Sequence, residues 1–280
     1  HDCPEYASNL LGGCEETTTG IMRLKARERD KSLRFPMIAV NDADCKHLFD
    51  NRYGTGQSSL TALMAVTNVS IASRVVVIAG YGWCGRGLAA KAKGLGGRVI
   101  VTEIDPVKAI EAVMDGFAVM TMAEAAPLGD IFITATGCCD VITAPHLQSM
   151  KDGAILANSG HFDVEISKKD LAGLSSRIYQ RKPDITGYEL PDGRTLNLLA
   201  EGRLVNLAAG DGHPTEVMDL SFAMQAVAVL HILENHSRLE PKVYNLPYEL
   251  DCKVAALKIK AMGISIDRLT AEQAAYLSQA

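Results

Sequence analysis

Paired C-x-x-C spacing is absent from this sequence, although it holds seven cysteines (Cys3, Cys14, Cys45, Cys84, Cys138, Cys139 and Cys252). An odd, scattered set argues against a disulfide framework or a zinc site, and for a reducing, cytoplasmic setting. Blocks of like charge are missing as well. The net charge of -5 is dispersed, so no electrostatic footprint for nucleic acid or anionic membrane exists, and small molecules are the expected ligands. Internal repeats and low-complexity segments are lacking. No signal peptide opens the chain and it does not begin with Met, which raises the expectation of a processed or cut N-terminus. An uninterrupted membrane-length apolar run is also lacking. The longest such segment, Val217 to Leu233, is broken by Asp219, Ser221, Gln225 and His231 and bounded by Glu216 and Glu234. It reads as a helix buried in a domain or subunit interface. What remains is ordinary globular usage in a chain of 280 residues, long enough for a large core and for two domains.

The most informative stretch runs from Arg74 to Glu103. A β-branched strand (Val75, Val76, Val77, Ile78) reaches Gly80, and Gly80, Gly82 and Gly85 form G-x-G-x-x-G as a small-residue helix begins at about Gly87. Gly80 permits the sharp turn, Gly82 lets backbone approach a pyrophosphate, and Gly85 lets helix and strand pack closely, with helix N-terminal N–H groups aimed at the anion. A second strand, Val99 to Thr102, ends in Glu103, placed to accept a hydrogen bond from a ribose 2′-hydroxyl. That carboxylate argues for NAD over NADP.

Around this unit the pattern alternates. Helices are expected near Ile21 to Arg29, Leu60 to Asn68, Pro106 to Met114 and Pro145 to Met150, and strands at Pro36 to Val40, Ala118 to Thr121, Ile131 to Thr136 and Ala154 to Ala157. Tyr188 to Leu199 reads as a hairpin around Asp192-Gly193. Pro247 to Met262 and Leu269 to Ser278 read as two more helices, the second opened by Thr270 with Gln273 at capping-box spacing. Strand and helix alternating at this spacing predict an α/β protein with a Rossmann-type doubly wound parallel sheet, which binds ligands outside its strand C-termini. Thr136-Gly137 and Asn158-Ser159-Gly160-His161 fall at such ends, making His161 a catalytic candidate. Two polar clusters are ambiguous by spacing alone. Glu15, Glu16 and Thr17 to Thr19 read as an N-cap and capping box, and Lys46 with Asp50, at i and i+4, reads as a solvated ion pair.

Longer motifs resolve both clusters by resemblance. EETTTG (15–20), VNDADCKHLFDNRYGTGQS (40–58), AGYGWCGRG (79–87), VTEIDP (101–106), TGC (136–138), GHFDVEI (160–166), LLAEGRLVNL (198–207) and GHP (212–214) together resemble the S-adenosyl-L-homocysteine hydrolase family over nearly the whole chain. The GTGQS and GWCGRG elements and the short C-terminus resemble its thermophilic bacterial and archaeal branch. The resemblance implies tightly held NAD used as a true catalyst. The ribose 3′-hydroxyl is oxidised, homocysteine is eliminated, water adds, and the ketone is reduced back, for a net reversible hydrolysis to adenosine and L-homocysteine. It also implies a cytoplasmic homotetramer serving the methionine cycle, with neither nucleic acid nor membrane as partner and no metal.

Residue by residue, the resemblance makes Glu16 the carboxylate on the ribose hydroxyls, Lys46 the group moving the 3′-proton and Asp50 its polar partner. Asn51 falls at the boundary between substrate and nicotinamide. Thr17, Thr18 and Thr19 match nicotinamide-side cofactor contacts. Gly82, Trp83, Cys84, Gly85, Arg86 and Gly87 match the pyrophosphate loop that follows Gly80, and Glu103 the adenosine-ribose acid. Ser159, Gly160 and His161 match the segment under nicotinamide and substrate, Asn206 a contact to the nicotinamide amide, and His213 a residue near the substrate base and the cofactor. The family's D-D-G-G acid has no convincing counterpart, Asp2 lacking the flanking glycines. The first hundred or so family residues are also without counterpart, Thr55 stands where many members have cysteine, and the C-terminal Lys and Tyr of many members are missing. The expected organisation is 1–52 as the C-terminal part of a substrate domain, 53–212 as the NAD domain, 213–240 as a returning helix and 241–280 as a C-terminal oligomerisation tail. Two other readings stand beside adenosylhomocysteine as substrate: S-inosylhomocysteine hydrolysis, and a catalytically idle NAD-binding homologue.

Overall fold

The computed structural model describes residues 9–278; Asp2 and Cys3 lie outside them. The chain enters through β1 (Gly13–Glu15), α1 (Thr18–Arg29), β2 (Met37–Ala39) and α2 (Asp44–Lys46). α2 runs directly into a π-helical segment, His47–Gly54, and then into α3 (Thr55–Thr67), which Asn68 ends in the left-handed region at φ 55°. β3 (Val75–Ala79), α4 (Trp83–Gly94), β4 (Arg98–Thr102), α5 (Pro106–Met114), β5 (Ala118–Val119), α6 (Met122–Ala125) and β6 (Ile131–Thr134) follow. α7 (Ala144–Ser149), β7 (Ile155–Asn158), α8 (Lys168–Leu174), β8 (Arg177–Lys182), β9 (Ile185–Glu189), β10 (Thr195–Leu199) and α9 (Val205–Ala208) complete the central part. The chain then returns through α10 (Thr215–Asn235), β11 (Val243–Tyr244), α11 (Tyr248–Ala261) and α12 (Ala271–Ser278).

The large sheet has the order β5-β4-β3-β6-β7-β10-β9-β8, parallel from β5 to β10 with β9 and β8 added antiparallel. Reading the parallel part as 3-2-1-4-5-6 gives the doubly wound arrangement, with its switch point between β3 and β6. Alternation along the strands supplies a core on each face. Val76 and Ile78 pack toward Leu63 of α3 and Leu88 of α4, while Val77 and Phe132 pack toward Leu147 of α7 and Leu171 of α8. Each such buried side chain contributes about 1.5–3 kcal/mol, which is why the strands read as continuous β-branched runs.

A second unit, with the parallel sheet β1-β2-β11, is assembled from both ends of the described chain. Ile38 and Val40 pack there against Leu220, Met224, Ala228 and Ile232 of α10 and Val254 of α11. Residues 241–280 are therefore not uniformly a tail. β11 and α11 belong to this core, and α12 alone has every described residue exposed. The capping box at Thr270 and Gln273 is present. α10 is long and apolar enough to cross a membrane by length and composition. Here one face is buried in the third core, while Phe222, Val229, Leu230 and Leu233 on the other are exposed.

Two local expectations change. α4 begins at Trp83, directly after Gly82, so Gly85 and Gly87 lie inside the helix. Edge strand β8, carrying Arg177, Arg181 and Lys182, has no counterpart in the sequence reading because its charges mask any alternation.

Candidate active site

Lys46 is 5% exposed and Asp50 7%, so the solvated ion pair that the spacing suggested is a buried one. The π turn explains the arrangement, since it brings i+5 as well as i+4 onto the lysine's side of the helix. Lys46 Nζ lies 3.3 Å from Asp50 Oδ1 and donates to Asn51 Oδ1 at 2.8 Å. Asn41 Oδ1 accepts from Lys46 Nζ at 3.3 Å and from Asn51 Nδ2 at 3.1 Å. Burial of such a pair is costly unless its remaining valences are met. Asp50 meets this condition: Oδ2 accepts from the Ser221 hydroxyl at 2.8 Å, and Oδ1 lies 3.2 Å from His213 Nε2. Burial alone would raise its pKa. The His213 hydrogen bond, the Lys46 charge and the Ser221 hydroxyl outweigh it and hold the carboxyl at about 2.

Helix α2 is itself capped from far along the chain. Asp251 of α11 accepts from Asp44 N at 2.6 Å and Cys45 N at 2.8 Å. Beside it, burial and then the Asp251 hydrogen bond push the Cys45 thiol up to about 12.

The glycine-rich loop meets this cluster back to back. A Cβ on Gly87 would overlap the Arg52 carbonyl of the π segment, and one on Gly56 would press on the backbone of Gly87. The single tryptophan, Trp83, tilts over His47 with ring centroids 4.8 Å apart, and Arg86 lies 4.5 Å over Trp83 while pairing with Glu111. Cys84 donates its thiol to Thr55 Oγ1 at 3.6 Å, and burial raises the pKa of that thiol.

Within the loop, Gly80 has φ +95° and a Cβ on Gly85 would strike the Gly80 carbonyl, but a Cβ on Gly82 would meet nothing within 4 Å. The N-terminus of α4 has no side-chain cap, so its first N–H groups face that space unpaired by the helix. At the end of β4, Glu103 accepts from Tyr81 N at 2.7 Å, Ile104 N at 2.7 Å and Asp105 N at 3.0 Å. A carboxylate has about four acceptor sites, which leaves one for a ribose hydroxyl.

Across the switch point, Thr136 and Gly137 are held by Glu165, a carboxylate 1% exposed. Its Oε2 accepts from Thr136 N at 2.9 Å and Oγ1 at 2.7 Å, and its Oε1 from Gly137 N at 2.8 Å. A Cβ on Gly160 would overlap Glu165, so that glycine is required by the carboxylate behind it. Ser159 Oγ donates to Ser59 Oγ at 2.7 Å, tying β7 to α3. Asn158 accepts from Gly160 N at 2.7 Å and donates to the carbonyls of Phe162 and Gly202, shaping the turn.

His161 stands apart. It is exposed, its ring meets Phe162 edge-on at 4.4 Å, and among the described residues it has no hydrogen bond to Lys46 or Asp50. Phe162 in turn lies 4.5 Å beneath the Arg23 guanidinium of α1. Thr17 is the N-cap of α1 without a side-chain cap bond, and Glu15 accepts from its N–H at 2.7 Å, so the expected capping box does not form. Glu16 Oε2 accepts from Gln225 Nε2 at 3.1 Å. Thr18 is exposed, whereas Thr19 lies beside Gly137, with its Oγ1 buried and unpaired. Asn206 donates to Ser58 Oγ at 3.0 Å, and its Oδ1 is likewise buried and unpaired. Both ring nitrogens of His213 are engaged by protein groups, which leaves neither for a substrate base.

The sequence model of the NAD binding domain of S-adenosyl-L-homocysteine hydrolase matches residues 51–212. The chain belongs to that family. It is 60% identical over 273 residues to S-inosyl-L-homocysteine hydrolase of Methanocaldococcus jannaschii, covering 98% of this chain and 66% of the relative. It is equally 60% identical over 273 residues to adenosylhomocysteinase of Pyrococcus abyssi, covering 98% and 65%. The chain thus spans about two thirds of the length of the curated relatives it matches. Among solved structures, the A chain of dipicolinate synthase from Bacillus subtilis shares the fold at 12% identity, TM-score 0.53, over 81% of this chain and 66% of that one.

The residues present fit NAD. The space at Gly82, the uncapped α4 terminus and the spare acceptor site of Glu103 suit a pyrophosphate and a ribose, and the orphaned oxygens of Thr19 and Asn206 offer polar partners at the far end of the crevice. The sequence reading missed Asn41, Ser58, Glu165, Ser221, Gln225 and Asp251 as site-forming residues. Ser221 and Gln225 did leave a signal: two polar residues four apart interrupt an otherwise apolar helix on one face.

Proposed function

We propose that the complete protein catalyses reversible hydrolysis of S-adenosyl-L-homocysteine to adenosine and L-homocysteine. The observation that carries this reading is the buried Lys46, held by Asp50, Asn51 and Asn41 on a segment packed directly against the cofactor helix α4. NAD, when bound, supplies the acceptor and later the donor of the ribose C3′ hydride. Lys46 Nζ moves the proton of the 3′-hydroxyl, and Asp50 and Asn51 fix that nitrogen and keep it within reach of one hydroxyl. Glu16, braced by Gln225, accepts from the ribose hydroxyls. Thr17, Thr18, Thr19, Thr136, Gly137 and Asn206 line the nicotinamide end, and Ser159, Gly160 and His161 form the segment under nicotinamide and substrate.

S-inosylhomocysteine is the second reading, supported by the equal identity to relatives named for each substrate. We further assign a cytoplasmic homo-oligomer of methionine-cycle type. The exposed Phe222, Val229, Leu230 and Leu233 of α10, and the fully exposed α12, support association between copies.

The test uses the complete NAD-loaded protein. Adenosine should produce the near-ultraviolet absorbance of NADH, and homocysteine release should be followed in parallel from the S-adenosyl and S-inosyl thioethers. Faster release from one names the substrate. No absorbance and no release would leave an idle NAD-binding homologue.

A further inference from the structure

His213 packs on the π segment that carries Asp50 and directly follows Lys46, so close that a Cβ on Gly54 would overlap its ring. Its side chain is 13% exposed, and each ring nitrogen faces two polar groups. Nε2 lies 3.2 Å from Asp50 Oδ1 and 3.4 Å from Thr55 Oγ1; Nδ1 lies 3.2 Å from Ser58 Oγ and 3.3 Å from Asn206 Nδ2. Asp50 is an acceptor only, so Nε2 must carry a proton toward it. The Asn206 amide nitrogen is a donor only, so Nδ1 must present its lone pair. The two constraints come from opposite sides of the ring and select one neutral tautomer, protonated at Nε2.

We propose that His213 is a positioning residue for the Lys46–Asp50 pair. The step rests on the lysine chemistry assigned above but adds a function that lining a substrate base would not give. Nε2–H holds Asp50 Oδ1 while Ser221 holds Oδ2, so the carboxylate has two fixed anchors and Lys46 meets it in one geometry. Ser58 and Asn206 behind the ring keep the tautomer. Thr55, which receives the Cys84 thiol, links the same ring to the helix over which NAD is expected. The rigidity of the lysine site is thereby set by the 213 region, more than 150 residues away in sequence.

The test is a double-mutant cycle in the complete NAD-loaded protein with H213A, D50N and H213A/D50N, and H213Q as the variant that retains an N–H donor. The rate of bound-NAD reduction by adenosine and the adenosine dissociation constant are both read. H213A should slow reduction by about 10- to 100-fold, the scale of misplacing a catalytic group, with little change in adenosine affinity. H213Q should recover part of that loss, and H213A should add nothing once Asp50 is neutral. Additive losses, or an effect confined to adenosine affinity, would overturn the assignment. A second readout is independent of turnover. Nitrogen NMR of the wild-type protein should show the Nε2–H tautomer at His213, with its signal moved by D50N. An Nδ1–H tautomer, or a His213 signal indifferent to D50N, also refutes the proposal. Wild-type protein that fails to reduce its NAD would instead count against the proposed reaction, leaving the NMR result to decide the inference.

Discussion

The cofactor wall of the crevice comes from one continuous stretch, β3 to β10, whereas the lysine wall is put together from β1 to the π segment and from α10 to α11. The first is made largely of backbone: a left-handed Gly80, an open Gly82, and glycines at 85 and 87 where a Cβ has no room. The second is made of side chains: a lysine, a carboxylate, two amides, a serine and a histidine, all closed on one another. A backbone-built wall fails when a side chain is added, and a side-chain network fails when one is removed, because the partner left behind is a buried unpaired group.

Removing Lys46 strikes hardest at the second wall. Lys46→Met in the complete protein should lower the rate of NAD reduction by adenosine by about 10²- to 10⁴-fold while NAD stays bound. Retained turnover would remove the lysine from the proton path. Adding a methyl group at Gly87 tests the first wall, since the Arg52 carbonyl it would strike belongs to main chain and cannot rotate away. Gly87→Ala should destabilise by about 2–4 kcal/mol, read from the denaturant midpoint. Glu103→Gln loses the charge that holds Tyr81 N and that would accept from a ribose hydroxyl. NAD affinity should fall about 10- to 100-fold, measured through the fluorescence of Trp83, the only tryptophan.

The pH dependence of stability should separate the walls further. The Asp50 carboxyl, held at about 2 against an ordinary 3.8, is depressed, so its contribution is fully present above about pH 4 and is lost as pH falls through about 2. Denaturant unfolding of wild type across that window should therefore drop more steeply than that of Asp50→Asn. Equal slopes would show that the pair contributes no stability. The smallest effect is expected at the remote cap. Asp251→Ala should cost about 1–2 kcal/mol in a thermal melt by freeing the Asp44 and Cys45 N–H groups. A null result there would show that α2 is held by the third core alone.

Legibility followed the same division. The order of strand, glycine turn, helix, strand and acid from Val75 to Glu103 is a local pattern, and its elements lie within a few residues of where the sequence put them. The hairpin at Asp192-Gly193 was legible for the same reason, Gly193 taking φ +89°. By spacing, as distinct from resemblance, the lysine cluster was legible only as an i, i+4 pair with a solvated default. Periodicity cannot announce a π turn, so Asn51 at i+5 gave no signal of meeting Lys46. Glu165 was hidden for another reason: of the two acids in GHFDVEI, Asp163 and Glu165, neither carries a mark of being the buried one, and the amides that Glu165 satisfies lie 28 and 29 residues earlier.

By itself the sequence determined the doubly wound sheet, the dinucleotide loop and the acid beside it, because each depends on residues adjacent along one strand or one turn. Tertiary structure decided the state of the chemistry. Burial beneath α10 turned a surface-type ion pair into an enclosed one, Ser221 and His213 fixed Asp50 from two remote segments, and Asp251 capped the lysine's helix from more than 200 residues away. Solvent exclusion and hydrogen-bond partners across such separations are properties of packing, which a linear pattern does not encode.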